Sequence, residues 1–81
     1  MRIPRDVSGD DLIQALSKIG YSIVRQTGSH VRLAKPTDGQ HSITVPKTRA
    51  LKVGTLSSIL RDVAGHMGIG KDDLLRLLWD G

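Results

Sequence analysis

The stretch QTGSHVRL, Gln26 to Leu33, sets an imidazole directly behind a Gly-Ser turn and at the head of an alternating apolar run. Histidine gains and loses a proton near neutral pH, which suits it to act as a general acid or base. In a strand, side chains two residues apart share a face and lie roughly 7 Å from each other. Arg32 is therefore expected beside His30, on the face away from Val31 and Leu33, as a fixed positive charge. Gly28 reads as a positive-φ turn position, while Ser29 either orients the imidazole or caps the turn. From the pattern alone the simpler reading of His30 is a polar strand-start residue hydrogen-bonded to its turn, the commoner state of an isolated histidine.

The other histidines do not complete a pair with His30. His41 shares the parity of Ile43 and Val45, so a third strand would carry it on the opposite face, about 13 Å along from His30. His66 follows Gly65 and reads as a helix C-cap or surface residue. The chain has no Cys, hence no disulfide framework, thiolate zinc site or Cys nucleophile. With the histidines scattered and no paired acids, no metal-ligand spacing is present and no cofactor is expected.

Charge points toward a polyanion. The net charge is +4 and the pI about 10.0, but the excess is concentrated. From Lys18 to Arg61 eight basic residues face a single acid, Asp38, whereas both ends are mildly acidic. Such a centre is the electrostatic footprint of nucleic-acid binding; the plainer reading is a solvated basic surface. The contacts expected for RNA are Lys35, the loop residues Lys47, Arg49 and Lys52, and Thr55 at the start of the following helix. The first residues carry no apolar h-region, and no run approaches the ~18 apolar residues of a membrane span. The expectation is a cytoplasmic protein with no membrane partner.

The elements that must position these residues follow from periodicity. SGDDLIQALSKIG carries Leu12, Ala15, Leu16 and Ile19 on one helical stripe, with Ser8 and Asp11 as a capping box and Gly20 as a stop. YSIVRQ, HVRLA and SITVP read as three strands joined at TGS and KPTDGQ, an antiparallel meander. After the basic loop KTRALKVG comes a second amphipathic helix with Leu56, Ile59, Leu60 and Val63 on one face. GIGKDDLLRLLWDG reads as a short third helix burying Leu74, Leu77 and Leu78. The expectation is a single domain over 1–81, core about 8–65 and helical extension about 69–79. Its class is α+β, an α-β-β-β-α two-layer sandwich in the order of double-stranded-RNA-binding domains.

In that order and spacing, GYSIVRQTGSHVRLAKP, ITVP and LKVGTLSSILRDVAG resemble the HicA family, small toxins of type II toxin–antitoxin pairs. The similarity covers residues 8 to about 65, with Gly28-Ser29-His30 and Lys52 to Leu60 its most specific parts. The resemblance implies a double-stranded-RNA-binding-like fold, metal-independent cleavage of messenger RNA, arrest of translation and neutralisation by a HicB-type antitoxin. The histidine essential to that activity falls on His30. KTRALKVGT departs from a loop that is more often Pro- and Lys-rich in the family, and the segment from Met67 extends beyond it. The chemistry agrees with the resemblance. Without a metal the RNA's own 2′-hydroxyl is the nucleophile, so the protein must move a proton and stabilise the phosphorane, tasks for His30 and Arg32. The rival readings are a non-catalytic RNA-binding module that recognises A-form RNA by shape, and an interaction domain whose basic surface meets an acidic protein.

Overall fold

The computed structural model describes residues 6–35 and 41–80. The element order is α1 (Gly9–Ser17), β1 (Ser22–Thr27), β2 (His30–Lys35), β3 (His41–Pro46), α2 (Val53–Met67) and α3 (Lys71–Leu75), closed by a π-helical turn over Arg76–Asp80. The strands form one antiparallel sheet in the order β1-β2-β3. The expected turn at KPTDGQ falls largely outside the described residues.

Helix α1 starts where its sequence says it should. Ser8 Oγ accepts from the Asp11 N–H at 2.9 Å, and Asp11 Oδ2 accepts from the Ser8 N–H at 3.1 Å, so the box satisfies two orphan helix-end donors. Regular helix stops at Ser17, and a further turn runs to Gly20 at φ 105°. Gly9 permits a close approach: its N–H donates to the Thr48 carbonyl at 2.9 Å, and a Cβ there would collide with the Pro46 carbonyl. The end of β3 is thereby clamped to the start of α1.

Alternation along β2 and β3 sends Val31, Leu33, Ile43 and Val45 to one face, all buried, and His30, Arg32 and Thr44 to the other, all exposed. Leu12, Ala15 and Leu16 of α1 join Leu56, Ile59, Leu60 and Val63 of α2 in a core with Leu33, Ile43 and Val45. The result is the two-layer α+β fold of double-stranded-RNA-binding domains, with helices over one sheet face.

The C-terminal segment belongs to that same core. Leu74, Leu75 and Leu78 are at most 2% exposed, while Leu77 is 46% exposed. The expected trio of Leu74, Leu77 and Leu78 is thus corrected: Leu74, Leu75 and Leu78 make the inward face, and Leu77, in the π-helical turn, points off it. Each buried leucine contributes about 1.5–3 kcal/mol in a domain whose net stability is of order 5–15 kcal/mol. The segment is therefore part of the folding unit. Lys18 Nζ donates to the Leu78 carbonyl at 3.3 Å and Lys71 Nζ to Ser57 Oγ at 2.7 Å, tying it to α1 and α2.

Candidate nucleic-acid interface

The β1–β2 hairpin closes through a two-residue loop, Gly28-Ser29, with Thr27 opposite His30. Gly28 has φ 58°, and nothing lies within 4 Å of a Cβ built there. The glycine answers a backbone need, since positive φ at the first loop position is the feature of the II′ turn that matches strand twist. Ser29 contributes through its backbone: its carbonyl accepts from the Lys47 N–H at 2.6 Å. Among the described residues its hydroxyl makes no hydrogen bond. The hairpin turn is thus tied to the start of the basic loop.

His30 is exposed on the uncovered sheet face, and among the described residues its ring has no hydrogen-bond partner. Arg32, two residues on, shares this face as parity requires. Together with Arg25, Thr27 and Thr44 they line an open cleft of about 230 Å³. Two cross-strand rows make it up. Arg25, Arg32 and Thr44 stand in register across β1, β2 and β3, and Thr27 stands beside His30 in the next row.

Arg25 was invisible to pattern reading, because it shares sequence parity with Ile23. Ile23 pairs with core-facing Leu33 and lines an apolar groove with Ile13 and Tyr21. Val24 has no partner in β2; the register shifts there, and Arg25 pairs with Arg32 instead. A one-residue bulge exchanges the two faces of a strand, so Arg25 and Thr27 arrive on the His30 side. The one signal in the sequence is the consecutive Ile23-Val24, a break in alternation.

The remaining candidates divide. Lys47, Arg49 and Lys52 are exposed. Lys47 follows Pro46, the register partner of His30, and its Nζ lies 3.9 Å from Asp10 Oδ1. Lys52 is the N-cap of α2 and offers no side-chain cap; Thr55, in the first turn, is half-buried. Lys35 is not brought to the cleft. It has the parity of Val31 and Leu33, is 9% exposed, and runs its stem along Gly20, with Cε 3.2 Å from where a Cβ would be. A long aliphatic stem accounts for such burial.

The other two histidines lie together under the opposite face. Asp62 Oδ1 lies 3.1 Å from His41 Nε2, and a carboxylate can only accept, so Nε2 carries the hydrogen. In the neutral ring Nδ1 then accepts from the Tyr21 hydroxyl at 2.6 Å. The His41 ring stacks on His66 at 4.4 Å and meets Tyr21 edge-on at 5.9 Å. Burial first, then the charge of Asp62, raises the Tyr21 pKa above its ordinary value of 10.0. His66 sits inside α2, half-buried, with Nε2 shielded and unpartnered among the described residues; the C-cap is Gly68, at φ 69°. This corrects the expectation of a capping or surface His66. Among the described residues no group of three His, Asp or Glu side chains is placed to hold a metal ion, and no helix is long and apolar enough to cross a membrane.

The family described as "HicA toxin of bacterial toxin-antitoxin" matches residues 9–64, more than half of the chain. The chain belongs to the HicA toxin family. That membership makes it the toxin of a toxin–antitoxin system, with an antitoxin as partner. The match contains the whole His30 cleft and stops before α3 and the π-helical turn. Neither a curated protein nor a solved structure matches the chain.

Proposed function

We propose that this HicA-family chain is a metal-independent endoribonuclease that cuts messenger RNA and so arrests translation. The observation that carries this reading is the pairing, on one open face, of an imidazole and a guanidinium with no intramolecular partner among the described residues. In the reaction, the 2′-oxygen attacks the adjacent phosphorus as the bond to the 5′-oxygen breaks. His30 handles a proton at one of these oxygens, water handles the other, and Arg32 offsets the phosphorane charge.

His30→Ala should leave the melting temperature and RNA affinity close to those of the parent, while cleavage slows by 10²–10⁴-fold, the usual worth of a general acid or base. Parent activity should survive EDTA and stop when the scissile ribose is 2′-deoxy. A His30→Ala protein cutting at the parent rate would refute the assignment. Labelled RNA left intact by the parent protein would favour the alternative, a non-catalytic RNA-binding module.

The antitoxin is proposed to be of the HicB type and to cover His30, setting acidic residues against Arg32 and the loop of Lys47, Arg49 and Lys52. Co-expression should restore growth. A neighbouring gene product that binds without slowing cleavage would exclude this mode of inhibition.

A further inference from the structure

The cleft contains a pair of side chains that folding alone does not explain. Arg25 and Arg32 stand directly opposite each other in register, a like-charge arrangement that destabilises a sheet. Among the described residues neither guanidinium has an ion-pair or hydrogen-bond partner. The ion pairs of Asp10 with Lys47, Asp62 with His41 and Asp73 with Arg76 lie elsewhere. Without the register shift at Val24, Arg25 would lie on the face occupied by Leu33. A bulge that re-aims a side chain into an open cleft, at a cost to the fold, is a mark of binding.

We propose that Arg25 is a second phosphate-binding residue of this cleft, its guanidinium and that of Arg32 holding the two non-bridging oxygens of one RNA phosphodiester next to His30. The proposal rests on the ribonuclease reading and deepens it. The 2′-oxygen–phosphorus bond forms as the phosphorus–5′-oxygen bond breaks. The 2′-hydroxyl loses a proton and the 5′-oxygen gains one, leaving a 2′,3′-cyclic phosphate and a 5′-hydroxyl. The phosphodiester carries one negative charge on its non-bridging oxygens from the start, and a second builds there as the fifth bond forms. A second guanidinium is therefore worth more in the transition state than in the substrate complex, and its loss should fall mainly on kcat. Thr27 and Thr44 present hydroxyls at the cleft margin, and among the described residues no Phe, Tyr or Trp lines it, so contacts to the backbone are expected to hold the strand.

The full chain is assayed on labelled single-stranded RNA as parent, Arg25→Ala, Arg25→Lys and His30→Ala. Arg25→Ala should lower kcat/KM by about 10²–10³-fold, as removal of one oxyanion donor does, with the larger share in kcat. Arg25→Lys should recover part of it, since a point charge replaces a bidentate fork. Arg25→Ala should also melt no lower than the parent, because the like-charge contact is gone. Inorganic phosphate, against chloride of equal ionic strength, should shift the amide resonances of Thr27, His30 and Arg32 in the parent and not in Arg25→Ala. If the parent cuts RNA and His30→Ala does not, yet Arg25→Ala stays within twofold of the parent, Arg25 is no part of the site while the ribonuclease reading stands. A parent that cuts nothing removes both. Equal phosphate shifts in parent and Arg25→Ala overturn the clamp whatever the kinetics.

Discussion

Strands β2 and β3 each begin on a histidine, and the two imidazoles differ in almost everything else. His30 has the parity of Arg32 and faces the open side of the sheet, with no partner for its ring among the described residues. His41 has the parity of Ile43 and Val45 and lies under the helices, both ring nitrogens engaged and the ring stacked on His66. The side chain is the same, so one residue of parity and the presence of a second layer account for the difference. An imidazole held at both nitrogens ties β3 to α2 and to Tyr21, the residue just before β1. One left free beside uncompensated cations is available to a substrate.

The comparison breaks most sharply if the two histidines exchange phenotypes. His30→Ala is expected to lose 10²–10⁴-fold in cleavage and little stability. His41→Ala leaves Tyr21 and Asp62 without their shared partner and should cost about 1–3 kcal/mol, a fall of several degrees in Tm for a domain of this size. Its cleavage rate per folded molecule should be unchanged. Denaturant midpoints and single-turnover rates on both variants decide the matter. A stable His41→Ala protein that no longer cuts would place catalysis on the covered face.

A smaller effect sharpens the structural half. The folded chain raises the pKa of Tyr21, its single tyrosine, so at alkaline pH the folded state keeps a proton that the unfolded state releases. The contribution is therefore complete below the unfolded value of 10.0 and is lost as pH rises through the folded one. The phenolate absorbance of the native protein should appear above pH 10.0, and unfolding midpoints should decline there more steeply than in Tyr21→Phe. A native tyrosine titrating at or below 10.0 would show that its hydroxyl is not held against His41.

Local rules made most of the fold legible in the sequence. The Ser8–Asp11 box, the positive φ of Gly28, the inward stripe of α2 and the outward face of His30 and Arg32 all depend on neighbours within a few positions. What escaped depends on partners far along the chain. The relay joins Tyr21, His41 and Asp62 across separations of 20 and 21 residues, and Arg25 reaches the cleft only because β1 slips against β2. Lys35 is a different case. The parity that turns His30 outward turns Lys35 inward, and its charge argued against a burial that its stem permits.

The smallest expected effect separates the cleft from the loop beside it. Lys47, Arg49 and Lys52 are exposed, and the Ser29–Lys47 backbone hydrogen bond fixes the start of their loop near His30. Unlike Arg25 and Arg32, whose like charges face each other across a defined cleft, they are spread along an irregular segment, and Lys47 already has Asp10 nearby. If they anchor RNA, they do so as loosely placed charges on flanking phosphates. Replacing all three with Ala should weaken binding to every sequence alike. It should also flatten the slope of log K against log salt by up to ~2, at about 0.7 per phosphate contact on a single strand. Saturating RNA should restore the parent kcat, which Arg25→Ala should not allow. An unchanged salt slope would remove the loop from the interface, and a loss of kcat at saturation would extend the cleft into it.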